Sequence, residues 1–262
     1  MNEACIIVAE EQNIWKNLAF ETCLLEYASQ KTENCDITLA ILYFWENDNA
    51  IVIGKHQNPY KECDINFVEK NNIKIARRIT GGGAVYHDIG NINYSFILSK
   101  NIYAKEKTFQ IIINAFKNLG INVELSERND ILLQGKKFSG NAFYQTKNVS
   151  LHHGTILVNS NSEIIEKCLT PNKNNCKLKS VASVKSEIIN IRYLYPKITL
   201  KQIKEKIIEE FLKTFTKNKK ANKIVDINQK RLAELIKKYS SPEWIFGSYF
   251  EETEKIDVYQ NS

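Results

Sequence analysis

Three consecutive glycines, Gly81-Gly82-Gly83, separate an apolar run that ends in Arg77-Arg78 from a second one, Ala84-Val85-Tyr86, that leads into His87-Asp88. Glycine in a helix or strand interior costs about 0.5–1 kcal/mol relative to alanine, so this segment is a turn between ordered elements. Glycine also takes positive φ readily and lets a ligand approach the backbone closely. Successive N–H groups in such a turn can form a nest for an anion. The two arginines add delocalised, fork-shaped charge suited to phosphate or carboxylate. The competing interpretation is a hairpin loop with two surface arginines. The pattern is neither a Walker loop nor G-x-G-x-x-G, so nothing here argues for a P-loop or dinucleotide fold.

The flanking sequence predicts strands bracketed by helices. Apolar residues at Ile14, Leu18 and Ala19, continuing to Cys23 and Tyr27, fall at helical spacing over residues 13–29. Residues 39–45 read as a strand, Glu46-Asn47-Asp48-Asn49 as a turn, and residues 50–54 as the hairpin partner. Asn58-Pro59 marks a turn, Asp64 the N-cap of a short helix ending near Asn71, and residues 73–78 a strand. Residues 91–96 alternate like a half-buried strand. Residues 108–119 form a helix with Gly120 at the C′ position, and two or three short strands lie between Ile121 and Asn159. Thr199-Leu200-Lys201-Gln202 is a capping-box start for a helix to about Phe215. Another helix spans about 228–239, and Pro242 to Gly247 close the ordered part. Strands flanked by helices without regular alternation give an α+β class, a mixed β-sheet flanked by helices.

Composition removes other classes. With 43% hydrophobic residues among 262, the chain can bury a core without staples, and no apolar stretch approaches the about 18 residues of a membrane span. The N-terminus carries Glu3 and no basic segment, so it does not read as a secretory signal. Cys5, Cys23, Cys35, Cys63, Cys168 and Cys176 show no C-x-x-C pairing, which argues against a zinc ribbon or thioredoxin site and suits a reducing cytoplasm. The net charge of +6 is modest, and the tract of lysines at 213, 217, 219, 220 and 223 has acids around it, as at Glu209 and Glu210, which reads as a solvated helix end rather than a nucleic-acid face.

Two further clusters carry chemistry. Arg128-Asn129-Asp130 precedes Lys136-Lys137-Phe138-Ser139-Gly140-Asn141-Ala142, where a lysine among small polar neighbours can reach a phosphate as a point charge. Its alternative is a solvent-facing hairpin lysine, which Lys136 fits well. His152-His153-Gly154-Thr155 opens an apolar strand. Adjacent histidines on a strand face opposite ways, so at most one faces a site and a His-His metal pair is disfavoured.

In order and spacing, Arg-Arg-x-x-Gly-Gly-Gly-Ala-Val-x-His-Asp-x-Gly-Asn, Arg-Asn-Asp, Lys-x-Ser-Gly-Asn-Ala and His-His-Gly-Thr resemble the lipoate–protein ligases. Trp15 to Glu21, Ile53 to Cys63, Ser183-Val184-Lys185-Ser186 and Glu243 to Gly247 are similar to family landmarks, so the likeness covers residues ~5–250. It implies the biotin/lipoyl-ligase fold, related to class II synthetase catalytic domains. It also implies an ATP- and Mg2+-dependent enzyme that makes lipoyl-AMP and passes the lipoyl group to a lysine of an apo carrier, such as that of a 2-oxoacid dehydrogenase or glycine-cleavage protein. Nucleic acid and membrane are not implied as partners.

By motif, the resemblance gives Lys137 the catalytic position between the acyl carbonyl and the α-phosphate. Arg78 and the backbone of Gly83, Ala84, Val85 and Tyr86 would hold the adenylate. Asn129 and Asp130 would sit near the phosphates, with Mg2+ arriving with ATP near Asp130 and no protein-built metal site. Leu18, Phe20, Glu21, Trp45, Thr80, His87, Ser139, His153 and Thr155 would line the lipoate pocket, together with Lys137. Residues 1–250 would be the catalytic domain and 251–262 a tail, with the small accessory domain of many relatives absent. That departure leaves open a lipoyl or octanoyl transferase using a preformed acyl donor, or a separate accessory subunit for activation. A second departure is Ser183-Val184-Lys185-Ser186-Glu187, where an arginine is more usual at the last position. Related cysteine transferases place a nucleophile just past a proline, and here Pro171 is followed by Asn172, flanked by Cys168 and Cys176.

Overall fold

The computed structural model describes residues 2–35, 37–170, 181–184, 186–216 and 225–247. The main sheet is mixed. Its strand order is β1 (Asn2–Val8), β2 (Thr38–Trp45), β6 (Asn91–Ser99), β11 (Val149–Leu157) and β10 (Asn141–Gln145), with β1 parallel to β2 and the other pairs antiparallel. A second sheet sets β3 (Ala50–Ile53) between parallel β4 (Lys74–Arg77) and antiparallel β5 (Val85–His87). A third is the antiparallel trio β7 (Glu124–Leu125), β8 (Ile131–Leu133) and β9 (Lys136–Ser139).

Helices cover both faces of the main sheet, which is why β2 and β6 are buried along nearly their whole length. On one face Leu42, Phe44, Phe96 and Leu98 pack against Phe109, Ile112 and Phe116 of α4 (Lys105–Asn118) and Ile203, Ile207 and Phe211 of α7 (Leu200–Phe215). On the other, Leu39, Ile41, Tyr43, Ile97 and Leu151 meet Leu18 and Leu24 of α1 (Ile14–Cys35) and Leu232 and Leu235 of α8 (Gln229–Tyr239). Each such side chain stabilises the fold by about 1.5–3 kcal/mol when fully buried. A smaller core joins Ile51, Ile53 and Tyr86 to Val68 of α3 (Ile65–Lys70) and Ile165 of α5 (Ser162–Cys168).

Local signals hold where chemistry is local. Asp64 caps α3, Asn228 caps α8, Thr199 and Gln202 form the reciprocal capping box of α7, and Gly120 takes φ 74° behind α4. Several expectations are corrected. Residues 39–45 and 50–54 are not hairpin partners: β2 pairs with β1 and β6, whereas β3 belongs to the second sheet. β6 is buried on both faces rather than half-buried. Five strands, not two or three, occupy residues 121–159, and α1 runs well beyond residue 29. Asn58-Pro59 is the N-cap and first position of α2 (Pro59–Glu62). The polypeptide then passes through α6 (Ile191–Leu194) and ends its described part with α9 (Pro242–Phe246). The interpretations placed on Pro171, Asn172, Cys176, Lys185, the lysines at 217–223 and the 251–262 tail lie outside the described residues.

Candidate active site

The glycine segment leaves β4 with its two arginines pointing apart. Arg77 turns towards the C-terminal end of the described chain. Its guanidinium donates to the carbonyls of Ile245 (2.6 Å), Gln57 (2.7 Å), Lys55 and Trp244 (2.9 Å), and Trp244 Nε1 donates back to the Arg77 carbonyl. Arg77 is thus a clamp for α9, facing away from the loop. Arg78 folds inward, buried, with Nη1 on the Val52 carbonyl (2.9 Å), Nη2 on those of Gly81 (2.7 Å) and Gly83 (2.8 Å), and Nε on Thr80 Oγ1 (2.9 Å). Burial lowers its pKa to about 10, which leaves it charged at neutral pH. With carbonyls drawn onto Arg78 and Gly82 at φ 95°, the loop is held in a shape that only glycine accommodates easily. A Cβ on Gly54 would lie 2.2 Å from the Gly82 carbonyl oxygen, so the two backbones touch.

The loop carries a cover. Ser183 Oγ accepts from the Ala84 amide (2.8 Å) and from Gln57 Nε2 (3.1 Å), and donates to the buried Glu62 carboxylate. The landmarks around Gln57 and Ser183 therefore meet at the glycine run. Tyr86 presents only backbone here, because its ring is buried and its hydroxyl is on Asn49 (2.8 Å).

Lys137 sits on β9, after the Gln134-Gly135 turn in which both residues have positive φ. Alternation separates the two lysines. Lys136 is half-exposed and pairs with Glu187 at 3.2 Å, while Lys137 is one quarter exposed and its Nζ lies 2.9 Å from Asp130 Oδ1. The aliphatic end of Lys137 lies across Gly140, where a Cβ would come within 2.8 Å of its Cε. Asp130 is fixed by a turn in which its amide donates to Ser126 Oγ (3.0 Å), and Asn129 has φ 65°. The Asn129 carbonyl accepts from Asn141 Nδ2 (2.9 Å), so the Arg-Asn-Asp and Ser-Gly-Asn motifs are tied together. Ser139 is buried beside Asn141, and the Gly140 amide donates to Thr155 Oγ1 (3.2 Å).

β11 links this corner to the glycine loop. His153 and Thr155 share one face, and His152 takes the other, packed among Phe109, Phe143 and Phe96. His153 Nδ1 lies 2.9 Å from Glu21 Oε1, and its Nε2 lies 2.9 Å from Thr80 Oγ1. Ser95 Oγ donates to Glu21 (2.5 Å) and accepts from Trp45 Nε1 (3.0 Å). Two buried groups of opposite charge, Glu21 and Arg78, are therefore joined through His153 and Thr80. Leu18 is buried on α1, and Phe20 packs its ring 5.3 Å from Tyr43. His87 is buried with its ring 5.7 Å from that of Trp45. Asp88 caps local backbone, accepting from the Gly90 and Asn161 amides, and is no partner for His87.

Ser95, Asn47 and Tyr94 belong to none of the motifs yet hold site side chains: Ser95 bonds Glu21, Asn47 bonds His87, and Tyr94 bonds Asn141. For Ser95 the sequence carries a signal, since Asn91, Asn93 and Ser95 recur at every second position of an otherwise apolar strand and all three are buried; no local pattern marks Asn47 or Tyr94. Cys5, Cys23, Cys63 and Cys168 are buried free thiols. Burial pushes Cys23 up to about 11 and Cys168 up to about 12, so neither is a ready nucleophile at neutral pH. Among the described residues no group of three or more His, Cys, Asp or Glu side chains could by itself hold a metal, and no helix is long and apolar enough to cross a membrane.

Residues 13–212 match the family model described as the lipoyl protein ligase A/B catalytic domain. The structure is similar to that of P. falciparum LipL1 in complex with lipoate, with TM-score 0.79 and 32% identity over 94% of this chain and 74% of that one. It is also similar to the bipartite lipoate protein ligase of Thermoplasma acidophilum (TM-score 0.78, 24% identity, 94% of this chain and 97% of that one). A lipoate-protein ligase A bound with ATP gives TM-score 0.78 and 24% identity over 94% and 99% of the two chains. The last two likenesses speak to the fold.

Proposed function

The chain belongs to the lipoyl protein ligase A/B catalytic-domain family, and on that footing we propose that it activates lipoate with ATP and transfers the lipoyl group to a lysine of an apo carrier domain. The observation that carries this proposal is Lys137, a partly exposed ammonium held by Asp130 and laid across Gly140 beside Thr155. In the first step a lipoate oxygen attacks the α-phosphorus and pyrophosphate leaves. In the second the carrier amine attacks the acyl carbonyl and AMP leaves. Both steps gather negative charge where a compact cation serves best, and neither needs a covalent enzyme intermediate.

Arg78 acts in this scheme through the loop, drawing the Gly81 and Gly83 carbonyls inward so that the backbone of Gly83, Ala84, Val85 and Tyr86 lines the adenylate, with the amides that the β3–β5 ladder leaves unpaired as its donors. For the Ala84 amide, that means release from Ser183. Mg2+ enters with the triphosphate, as a hard cation that keeps few protein ligands, with Asp130 the carboxylate at hand and Asn129 beside it. Leu18, Phe20, Trp45, Thr80, His87, Ser139, His153 and Thr155 surround the acyl chain, with Glu21 behind them. P. falciparum LipL1 has been seen with lipoate, and a ligase A with ATP, which supports the pairing of substrates. The Thermoplasma ligase is bipartite and was studied with an E2 lipoyl domain. A carrier of that kind and a separate accessory protein are the partners proposed here. Residues 1–250 form the catalytic unit in this scheme, and free thiols suit a cytoplasmic setting.

The test is lipoate-dependent ATP–pyrophosphate exchange by the isolated chain, followed by mass analysis of an apo carrier domain. Chelation should stop exchange and excess Mg2+ restore it. Transfer from supplied lipoyl-AMP without exchange would assign this chain the transfer step and activation to a partner. Neither activity, with or without an accessory protein, would sink the proposal.

A further inference from the structure

We propose that the Nε2–H of His87 is a fixed hydrogen-bond donor in the wall of the acyl pocket and selects chains that end in sulfur over chains that end in a methyl group. The inference rests on the lipoate-handling proposal above and adds to it the atom that reads the far end of the acid.

The argument starts at the backbone. One side-chain atom of Asn17 lies 3.1 Å from the Glu11 carbonyl and 3.0 Å from the Glu46 carbonyl. Carbonyls only accept, so that atom is the amide nitrogen, and the Asn17 oxygen is the one that accepts from the Tyr43 hydroxyl (3.1 Å). The same nitrogen lies 3.0 Å from Asn47 Oδ1, so its two hydrogens are shared among three acceptors; a flipped Asn47 would set its own NH2 against that donor, which fixes the orientation of the Asn47 amide. Its Nδ2 therefore faces His87 Nδ1 at 2.9 Å and donates to it. Nδ1 is an acceptor, and in a neutral imidazole the proton then sits on Nε2. His87 is 2% exposed, and burial, with Arg78 nearby, holds it neutral.

Nε2 is buried and has no partner. A buried N–H without an acceptor is costly and calls for an explanation. The other donors of this wall are engaged: Tyr43 on Asn17, Trp45 on Ser95, and Ser95 on Glu21. Among these four, only His87 keeps a donor without a partner, and an acyl chain in the proposed pocket can supply the missing acceptor. A divalent sulfur offers lone pairs as a weak acceptor, whereas an alkyl end offers none and leaves the N–H orphaned.

The test measures lipoate and octanoate binding to the full chain by calorimetry without ATP, and ATP–pyrophosphate exchange with each acid. Wild type should prefer lipoate. His87→Leu and His87→Phe should cut that preference roughly tenfold by weakening lipoate binding, and His87→Gln, which keeps an N–H, should restore part of it. Nitrogen-15 histidine spectra of wild type need no variant: they should show the Nε2-protonated tautomer, shifted by lipoate and not by octanoate. The Nδ1-protonated tautomer, or equal shifts with both acids, would overturn the inference. An unchanged preference in folded His87→Leu would do the same and assign the N–H to the face of the Trp45 ring. If wild type bound neither acid, the lipoate proposal would fall with it. If it bound and activated both with no effect of His87, only this inference would fall.

Discussion

His153 Nδ1 lies 2.9 Å from Glu21 Oε1, a contact that ties the middle of β11 to the buried side of α1. Because His153 Nε2 also reaches Thr80, and Thr80 accepts from Arg78, the charge on α1 and the charge under the glycine loop are held in one hydrogen-bonded chain. Neither buried charge is left without a counter-charge, which is the condition for keeping both in a low-dielectric interior.

Glu21→Gln keeps the shape and removes the charge, leaving Arg78 buried without its counter-ion. We expect a loss of about 1–3 kcal/mol in unfolding free energy and weaker ATP binding, because the loop that Arg78 shapes loses its anchor. Urea unfolding and nucleotide titration of the same sample check this. Normal ATP affinity in a destabilised variant would confine the chain's role to stability.

Lys137→Ala removes positive charge where the proposed reaction develops negative charge, so single-turnover lipoyl transfer should slow by about 10²–10³. Lys137→Arg should not restore it, since the lysine stem lies close over Gly140 and a wider, planar guanidinium would replace the compact ammonium at its end. Lys136→Ala should do little, as an exposed pair such as Lys136–Glu187 contributes about 0–1 kcal/mol. Loss of transfer in Lys136→Ala with Lys137→Ala intact would place the reacting charge on the other face of β9.

What could be read from the sequence divides by distance along the chain. Caps at Asp64 and Thr199 and the turn at Gly120 depend on residues three or four apart, and those predictions stand. The β2–β3 hairpin failed because Trp45 pairs with Asn93 and Ala50 with Lys74 and His87, partners that no local pattern contains. Asn91, Asn93 and Ser95 mimicked a solvent-facing edge because periodicity cannot tell a polar side chain facing water from one facing a buried polar partner. At the site, the motif order drew attention to Lys137, the glycine run and His153. The opposite directions of Arg77 and Arg78 were hidden, since α9 fixes Arg77 from the far end of the chain.

Arg77→Ala should cost stability rather than chemistry. Its guanidinium holds backbone carbonyls of the 54–57 segment and of α9, so removal leaves several buried acceptors without donors. We expect a loss of about 2–4 kcal/mol and proteolysis that begins near α9, seen by limited digestion and mass analysis. A variant as stable as wild type, with ATP affinity lost instead, would mean that Arg77 reaches the nucleotide.

Acid should destabilise the protein through its buried imidazoles. Burial, then Arg78 and His153, lowers His87 to about 3, and burial with His153 and Lys105 holds His152 well below the ordinary 6.5. Below about pH 6.5 the unfolded chain takes up these protons and the folded one does not, so stability falls as pH drops towards 3. Each histidine held neutral in this way contributes a slope of up to about 1.4 kcal/mol per pH unit. His87→Gln and His152→Gln lack the titrating ring, and each should flatten the pH dependence of urea unfolding between about pH 6 and pH 4 by up to one proton's worth. The comparison is of slopes, so a constant stability loss from repacking around Phe143 or Trp45 does not disturb it. Parallel slopes in wild type and both variants would mean that these imidazoles titrate as freely in the folded protein as in the unfolded chain, and that the neutral Nε2–H assigned to His87 does not survive mild acid.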